Sequence, residues 1–387
     1  MRIALFSDVY KPTINGVVNH VSLLKDHLES KGDQVWLFVP GSQESVSDEV
    51  NIVRIPGIPI ADTGYHLSVS LDQRSRELLQ HMDVIHVHHP FVSGSIGLFA
   101  ATRYGIPLVF TNHTRYDLYV KQYLPLLPTA LSDSALTAFF QIFSQRCAAL
   151  IAPSQGIAEV MREWGAQARI HVIPNGIELE RFRTPTWTTS REAVGLPQDA
   201  VVAVFVGRMS GEKDVARLVQ VFAQLLAEIG TTEGGQEGNG PLYLLLVGGG
   251  PELADYKALA RGLGVAERVI FTGKVPYEQV PGYIALGDFF VSASVSEVHP
   301  LTFIEAAAGG LPALGLDSPG VSDLIHDGET GFIAQDNDLS FGLRFLRLAR
   351  SQDLRTRMGQ AAQQDSLRYS ARANAKAVLD LYEKVAR

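Results

Sequence analysis

Two carboxylates bracket the segment Glu297-Val-His-Pro-Leu-Thr-Phe-Ile-Glu305. The first follows a short apolar run and a small-residue loop, Val291-Ser-Ala-Ser-Val-Ser. The second falls inside a helix predicted to begin at Pro300, a residue suited to the first helical position. The start of a helix offers unpaired N–H groups and a partial positive charge, which suit a phosphate. Glu305, about one and a half turns further in, could accept both hydroxyls of a ribose diol. The plainer reading of the same residues is that Glu297 caps the helix and Glu305 is solvated. In Val206-Gly207-Arg208-Met-Ser-Gly-Glu-Lys213, two cations lie just past a strand end in a glycine-bearing loop. Cations there would stabilise charge developing on a departing diphosphate, or they are ordinary surface charges.

A third group, Thr111-Asn112-His113-Thr114-Arg115-Tyr116-Asp117, puts a histidine, an arginine and an aspartate after the strand Leu108–Phe110. The alternative there is a structural histidine. Lys11-Pro-Thr-Ile-Asn-Gly-Val-Val18 offers a turn at Gly16 that leads into a helix, a plausible phosphate-approach loop. It is not a dinucleotide fingerprint, because the glycine spacing is wrong and Val39-Pro40 follows the next strand where an acid would be needed. A nicotinamide or flavin is therefore disfavoured, and the glycine run before Pro251 adds little. His86-Val-His88-His89 puts His86 and His88 on one face of a strand. With no cysteine or carboxylate close in sequence, packing and lining roles are favoured over zinc. Asp336-Asn-Asp338 has the form of a metal-binding acid pair, but its place before Leu339-Ser-Phe-Gly favours helix capping.

Short, continuously apolar strands alternating with helices must position these residues. Strands are predicted at 2–7, 34–39, 84–87, 108–111 and 150–152, with a helix over 17–30. The pattern restarts after a polar stretch, 181–200, read as a linker with a short helical turn. Strands follow at 201–206, 243–247, 269–272 and 289–292, with helices around 215–229, 253–263 and 277–286. Residues 230–240 read as a flexible loop, and the last ~45 residues as helices with Ala377, Leu381 and Val385 on one face. This is the pattern of parallel sheets covered on both faces, in two doubly wound domains whose strand ends would face a central cleft.

The 387 residues suffice for two cores, and 46% hydrophobic against 19% charged residues describes an ordered chain. A net charge of −8 argues against nucleic acid as a partner. One cysteine, Cys147, excludes an internal disulfide and fits a reducing compartment; it reads as an inert thiol near a helix end. The N-terminus carries no signal-peptide pattern, and no apolar run approaches the ~18 residues of a membrane span. A cytoplasmic place is expected, with any membrane contact peripheral.

Taken in order, Asn15-Gly16-Val17, His113-Thr114, Val172-Ile-Pro-Asn-Gly-Ile177, Gly207-Arg208 with Lys213, Phe271-Thr-Gly-Lys-Val275, and the Glu297…Glu305 pair running into Glu-Ala-Ala-Ala-Gly-Gly-Leu-Pro312 resemble the retaining glycosyltransferases of family 4, with the GT-B fold. The resemblance spans nearly the whole chain. It implies a first, acceptor-binding domain over 1–180, a linker over 181–200, a nucleotide-sugar domain over 201–365, and a final helix, 366–387, returning to the first domain. It implies a UDP- or GDP-hexose as co-substrate and no metal or other cofactor. Arg208 and Lys213 would hold the diphosphate, Glu305 the ribose, and Glu297 the sugar hydroxyls. Val275 would meet the base through its backbone, with Gly16, Leu301 and Thr302 also on the donor. His113 would lie beside the reacting carbon, making His113, Arg208, Lys213 and Glu297 the catalytic set. The chain departs from the common pattern at His299-Pro300-Leu301, where many members carry small residues or glycines, which leaves the donor sugar open.

Phe6-Ser-Asp-Val-Tyr-Lys-Pro and His113-Thr-Arg-Tyr-Asp-Leu-Tyr further resemble the branch that glycosylates diacylglycerol or related lipids. Arg115, Tyr116 and Asp117 would then face the acceptor. Residues 116–146 carry Tyr116, Tyr119, Tyr123, Leu124, Leu126, Leu127, Phe139, Phe140 and Phe143, with Lys121 and Arg146 at intervals. Such a segment suits the inner face of a membrane, or else a core helix with its loop. Other readings are a transferase for a soluble or polysaccharide acceptor and a nucleotide-sugar epimerase of the same fold. A phosphorylase would need phosphate or a pyridoxal lysine, for which there is no signature.

Overall fold

The computed structural model describes residues 1–13, 15–41, 50–59, 66–67, 71–118, 129–231 and 240–387. The chain forms two compact units, Met1–Ile177 with Ala371–Arg387, and Glu178–Ser370.

In the first unit, β1 (Arg2–Phe6), β2 (Gln34–Pro40) and β3 (Ile52–Ile55) are followed by a small antiparallel pair, β4 (Ile58–Pro59) and β5 (His66–Leu67). Then come β6 (Val84–Val87), β7 (Leu108–Thr111), β8 (Ala149–Ala152) and β9 (Ile170–Val172). The parallel sheet runs β3-β2-β1-β6-β7-β8-β9. Ile3, Ala4, Leu5 and Phe6 are all fully buried, as a strand covered on both faces requires. The helix Gly16–Ser30 begins where Asn15 Oδ1 accepts from the Val18 N–H at 2.8 Å. Its Val18, Val21, Leu24 and Leu28, spaced by three and four, face the sheet. The final helix, Ala371–Val385, packs Val378, Leu381 and Tyr382 into this same core. Gly97 allows the helix Val92–Tyr104 to lie close on the sheet, since a Cβ there would stand 2.5 Å from Val87 Cγ1.

In the second unit, β10 (Val201–Val206), β11 (Leu242–Val247), β12 (Val269–Gly273), β13 (Phe289–Val291), β14 (Ala313–Leu316) and β15 (Gly331–Ala334) form a parallel sheet in the order β12-β11-β10-β13-β14-β15. The helix Val215–Thr231 buries Val215, Leu218, Val219, Phe222 and Leu225 along one stripe. Both sheets reverse direction of growth beside their first strand, between β1 and β6 and between β10 and β13. In open α/β sheets a ligand site lies outside the carboxyl ends at such a point.

The stretch expected as a linker is ordered. Residues Leu179–Arg183 form a helix, and Arg191 donates to the carbonyls of Leu286 and Ala200 and pairs with Asp288 at 3.0 Å. The helix expected over 277–286 is instead a 3-10 turn, Tyr277–Gln279, followed by the short helix Val280–Ile284. Most of the 230–240 loop lies outside the described residues. No helix among the described residues is long and apolar enough to cross a membrane.

Candidate active site

The carboxyl ends of β10 and β13 bring the charged residues of the second unit together. Beyond β10, a 3-10 turn, Gly211–Lys213, ends at Asp214, whose φ of 47° reverses the chain into the helix Val215–Thr231. The Glu212 carbonyl accepts from Ser294 Oγ at 3.1 Å and Ser296 Oγ at 3.0 Å, tying this turn to the loop after β13. That tie delivers Lys213 Nζ to Glu297 Oε1 at 2.6 Å. Arg208 is exposed, and its guanidinium has no hydrogen-bond partner among the described residues. Gly248, at φ 138°, lets the β11 end pass so close to the Gly207 carbonyl that any Cβ would stand 1.9 Å from that oxygen.

Glu305 is 2% exposed and accepts from the Tyr277 hydroxyl at 2.8 Å. Burial pushes its carboxyl up to about 7, against the opposing pull of the Tyr277 hydrogen bond and the Arg181 charge. Arg181 lies over the Tyr277 ring at 5.0 Å. Burial and the facing Glu305 together raise the Tyr277 phenol well above its ordinary range. Glu305 is thus buried and hydrogen-bonded rather than solvated, and Glu297 pairs with Lys213 rather than capping a helix. Pro300 is the cap residue, in extended conformation with no side-chain bond to the first turn, so the helix begins one residue later than expected, as Leu301–Ala308. Leu301 and Thr302 occupy that first turn. Val275 follows Gly273, whose φ of 72° turns the chain at the end of β12. His299 packs inward, edge-on to Tyr369 at 5.5 Å.

The capping expected of Asp336-Asn-Asp338 is found at Asn337, and not at the two carboxylates. Asn337 caps the helix Asp338–Arg350 by accepting from Ser340 N, while Asp336 and Asp338 hold Arg217 at 2.5 and 2.7 Å.

In the first unit the strand ends carry imidazoles. His113 Nε2 lies 2.9 Å from His88 Nδ1, and their rings stack at 5.2 Å. His20, on the helix that begins at Gly16, lies 5.0 Å from the His113 ring and 5.7 Å from that of His88. His86 stands behind them, between Tyr382 Oη and Thr111 Oγ1. Burial lowers His20 to about 4, and burial with the nearby His20 lowers His86 to about 3, so both are neutral at pH 7. His89 Nδ1 accepts from the Asp8 N–H, and Asp8 accepts from Ser93 N. Arg115 and Asp117 form a two-pronged pair with each other, and Tyr116 is buried against Phe91 and Trp164.

The proposed membrane segment is corrected in part. Tyr116, Phe140 and Phe143 are core residues, the last two edge-on to Phe110, so they are not available for insertion. Ile142 and Arg146 on the same stretch are exposed. Tyr119, Lys121, Tyr123, Leu124, Leu126 and Leu127 lie outside the described residues. Cys147 is buried just after the helix Thr129–Ser144, and burial pushes its thiol up to about 12.

Residues 14–181 match Glycosyltransferase Family 4, and residues 188–365 match Glycosyl transferases group 1. A D-inositol 3-phosphate glycosyltransferase of Streptomyces scabiei is 31% identical over 312 residues, 78% of this chain and 68% of that one. The chain belongs to glycosyltransferase family 4. Two alpha-monoglucosyldiacylglycerol synthases are 28% identical to this transferase. That of Streptococcus pneumoniae matches over 84% of this chain and 74% of its own, and that of Acholeplasma laidlawii over 87% and 86%. Among solved structures, sucrose-phosphate synthase from Thermosynechococcus elongatus superposes with a TM-score of 0.78 at 20% identity, covering 99% of this chain and 98% of that one. WaaG, a glycosyltransferase of lipopolysaccharide biosynthesis, does so at 0.71 and 17%, covering 98% and 99%. The transferase has the GT-B architecture of two Rossmann-like domains.

Sequence reasoning missed Tyr277, Arg181 and His20. Tyr277 and Arg181 meet Glu305 from distant parts of the chain and left no local signal. His20 did leave one, as a polar residue on the apolar stripe of its helix.

Proposed function

We propose that this glycosyltransferase moves a hexose from UDP- or GDP-hexose, with retention of configuration, to a lipid hydroxyl such as that of diacylglycerol. The anomeric carbon's bond to the phosphate oxygen breaks, and the acceptor oxygen bonds on the same face. The acceptor proton leaves on the departing phosphate. Arg208 and Lys213 stabilise the diphosphate as its charge develops, so no divalent metal is required. Glu305 accepts from the ribose, Glu297 from the sugar, and the first turn of the helix Leu301–Ala308 faces phosphate. Val275 contacts the base through its backbone, Gly16 lies on the donor, and His113 contacts the transferring sugar. Arg115 and Asp117 orient the acceptor; Tyr116, being buried, acts through their loop.

The lipid acceptor rests on one observation: the match to two synthases named for glucosyldiacylglycerol across 84% and 87% of this chain. It implies work at the cytoplasmic membrane face. A second reading, a soluble inositol phosphate, is favoured by the 31% identity to a D-inositol 3-phosphate glycosyltransferase. Labelled UDP-glucose and GDP-mannose offered with diacylglycerol vesicles or with inositol phosphate separate the two. Label in the lipid phase supports the first reading, and label only on inositol phosphate overturns it.

A further inference from the structure

We propose that His20, His88 and His113 form a three-imidazole site for a transition-metal dication of the Zn²⁺ class, and that its occupancy inhibits transfer. One ring nitrogen from each of the three lies within 4.8 Å of the others. The three come from separate elements: the helix Gly16–Ser30, the loop after β6 and the loop after β7. His88 is fully buried, and its Nε2 has no hydrogen-bond partner among the described residues. The ring's other nitrogen, Nδ1, is the one that faces His113, so Nδ1 is the atom offered to an ion.

The chemistry of the set selects the ligand. Three imidazoles with no carboxylate suit zinc, copper, nickel or cobalt rather than magnesium or calcium. They also leave a fourth position open, as catalytic zinc sites do. Zinc–nitrogen bonds of ~2.0–2.1 Å set tetrahedral nitrogens roughly 3.4 Å apart. The His88 and His113 nitrogens, at 2.9 Å, are already near that separation. The His20 nitrogen lies within 4.8 Å of both, so a shift of at most roughly 1.4 Å brings it to that separation. Behind the set, the His86 ring lies 4.2 Å from that of His88 and is pinned on both nitrogens by Tyr382 and Thr111, a support that limits how His88 can turn. His20 and His88 are buried, while His113 is partly exposed and gives an ion its way in. Inhibition follows because a metal-bound His113 cannot also contact the sugar. That half rests on the reading under Proposed function, whereas metal binding does not.

The test uses the full chain stripped of metal, with Co²⁺ as optical probe and Zn²⁺ as competitor at neutral pH. The expected result is one equivalent of Co²⁺ with the intense absorption of a low-coordinate nitrogen site, displaced by Zn²⁺. H20N and H88N should each weaken binding by at least about tenfold. H326N, at an exposed histidine beside Asp365, should leave it unchanged. H20Q and thermal melts guard against misfolding. Absence of stoichiometric binding, or binding lost in H326N and kept in H20N, overturns the site. In the transfer assay, Zn²⁺ should inhibit wild type, with an inhibition constant about tenfold higher in H20N. Binding without inhibition overturns the regulatory half. A chain that transfers no sugar from any donor contradicts the transferase reading, while the Co²⁺ titration still decides the site.

Discussion

β1 and β10 hold the same place in their sheets, each beside the point where strand order reverses, yet the loops at these two points differ in kind. In the first unit the strand ends and the helix beside them carry imidazoles, with the buried His20 and His86 held neutral. In the second the loops carry the exposed Arg208 and the Lys213–Glu297 pair, with Glu305 one helix turn behind. The topology supplies a site in both units, and the side chains decide what each can bind. The second unit has cations of the kind that suit a diphosphate; the first has imidazoles, which suit proton sharing or a transition metal of the zinc class.

The comparison breaks most sharply if the second unit's cations are dispensable. Arg208→Ala and Lys213→Ala should each lower kcat by about 10²–10³, from the roughly 3–4 kcal/mol that one preorganised donor is worth, with unchanged thermal melts. Near-normal turnover in both would remove them from the mechanism.

The two units should also respond to pH with opposite sign. His20 has a folded pKa near 4, below the unfolded 6.5, so the unfolded chain binds more protons as pH falls through that window. The first unit therefore loses stability below about pH 6.5, by on the order of 3 kcal/mol for this group. Glu305 is the reverse. Its folded value near 7 exceeds 4.5, so its contribution favours folding at low pH and is lost as pH rises from 4.5 to 7. In chelator, Cys147 labelling by an acid-active pyridyl disulfide reports the first unit, and Trp187 fluorescence in a chain with Trp36 and Trp164 replaced by Phe reports the second. Acid should open the first unit earlier, and E305Q should flatten only the second response.

Glu305→Gln should weaken nucleoside diphosphate binding by about 1.5–3 kcal/mol, and Glu297→Gln should instead weaken intact donor more than free nucleotide. Calorimetry with both ligands separates these roles, and equal effects would contradict them. The smallest effect is expected at Asp336 and Asp338. D336N with D338N should cost less than about 1 kcal/mol, as exposed partners of Arg217. Turnover should survive EDTA; loss restored by manganese would reopen the acid pair.

Most strands of both sheets were legible in the sequence, because each is a continuous apolar run bounded by turn residues. β3, β9, β14 and β15 were not: the first two are edge strands of four and three residues, and Ala-Leu-Gly-Leu and Gly-Phe-Ile-Ala are short and glycine-bearing, with Gly331 where a Cβ would strike the Ala313 carbonyl. The charged residues of the second unit were legible because motif and strand end coincide. Their partners were not, since Tyr277 reaches Glu305 across 28 residues and Arg217 reaches Asp336 across 119. The aromatic segment misled because periodicity marks a buried face but does not say whether protein or lipid covers it, and here Phe110 covers Phe140 and Phe143.

The most direct test of the contrast is equilibrium binding of UDP and GDP to wild type, to the R208A/K213A double variant and to H113A. Wild type should bind one of the two nucleotides, H113A should bind it equally well, and the double variant should lose it. Loss in H113A with retention in R208A/K213A would contradict the assignment of nucleotide binding to the second unit.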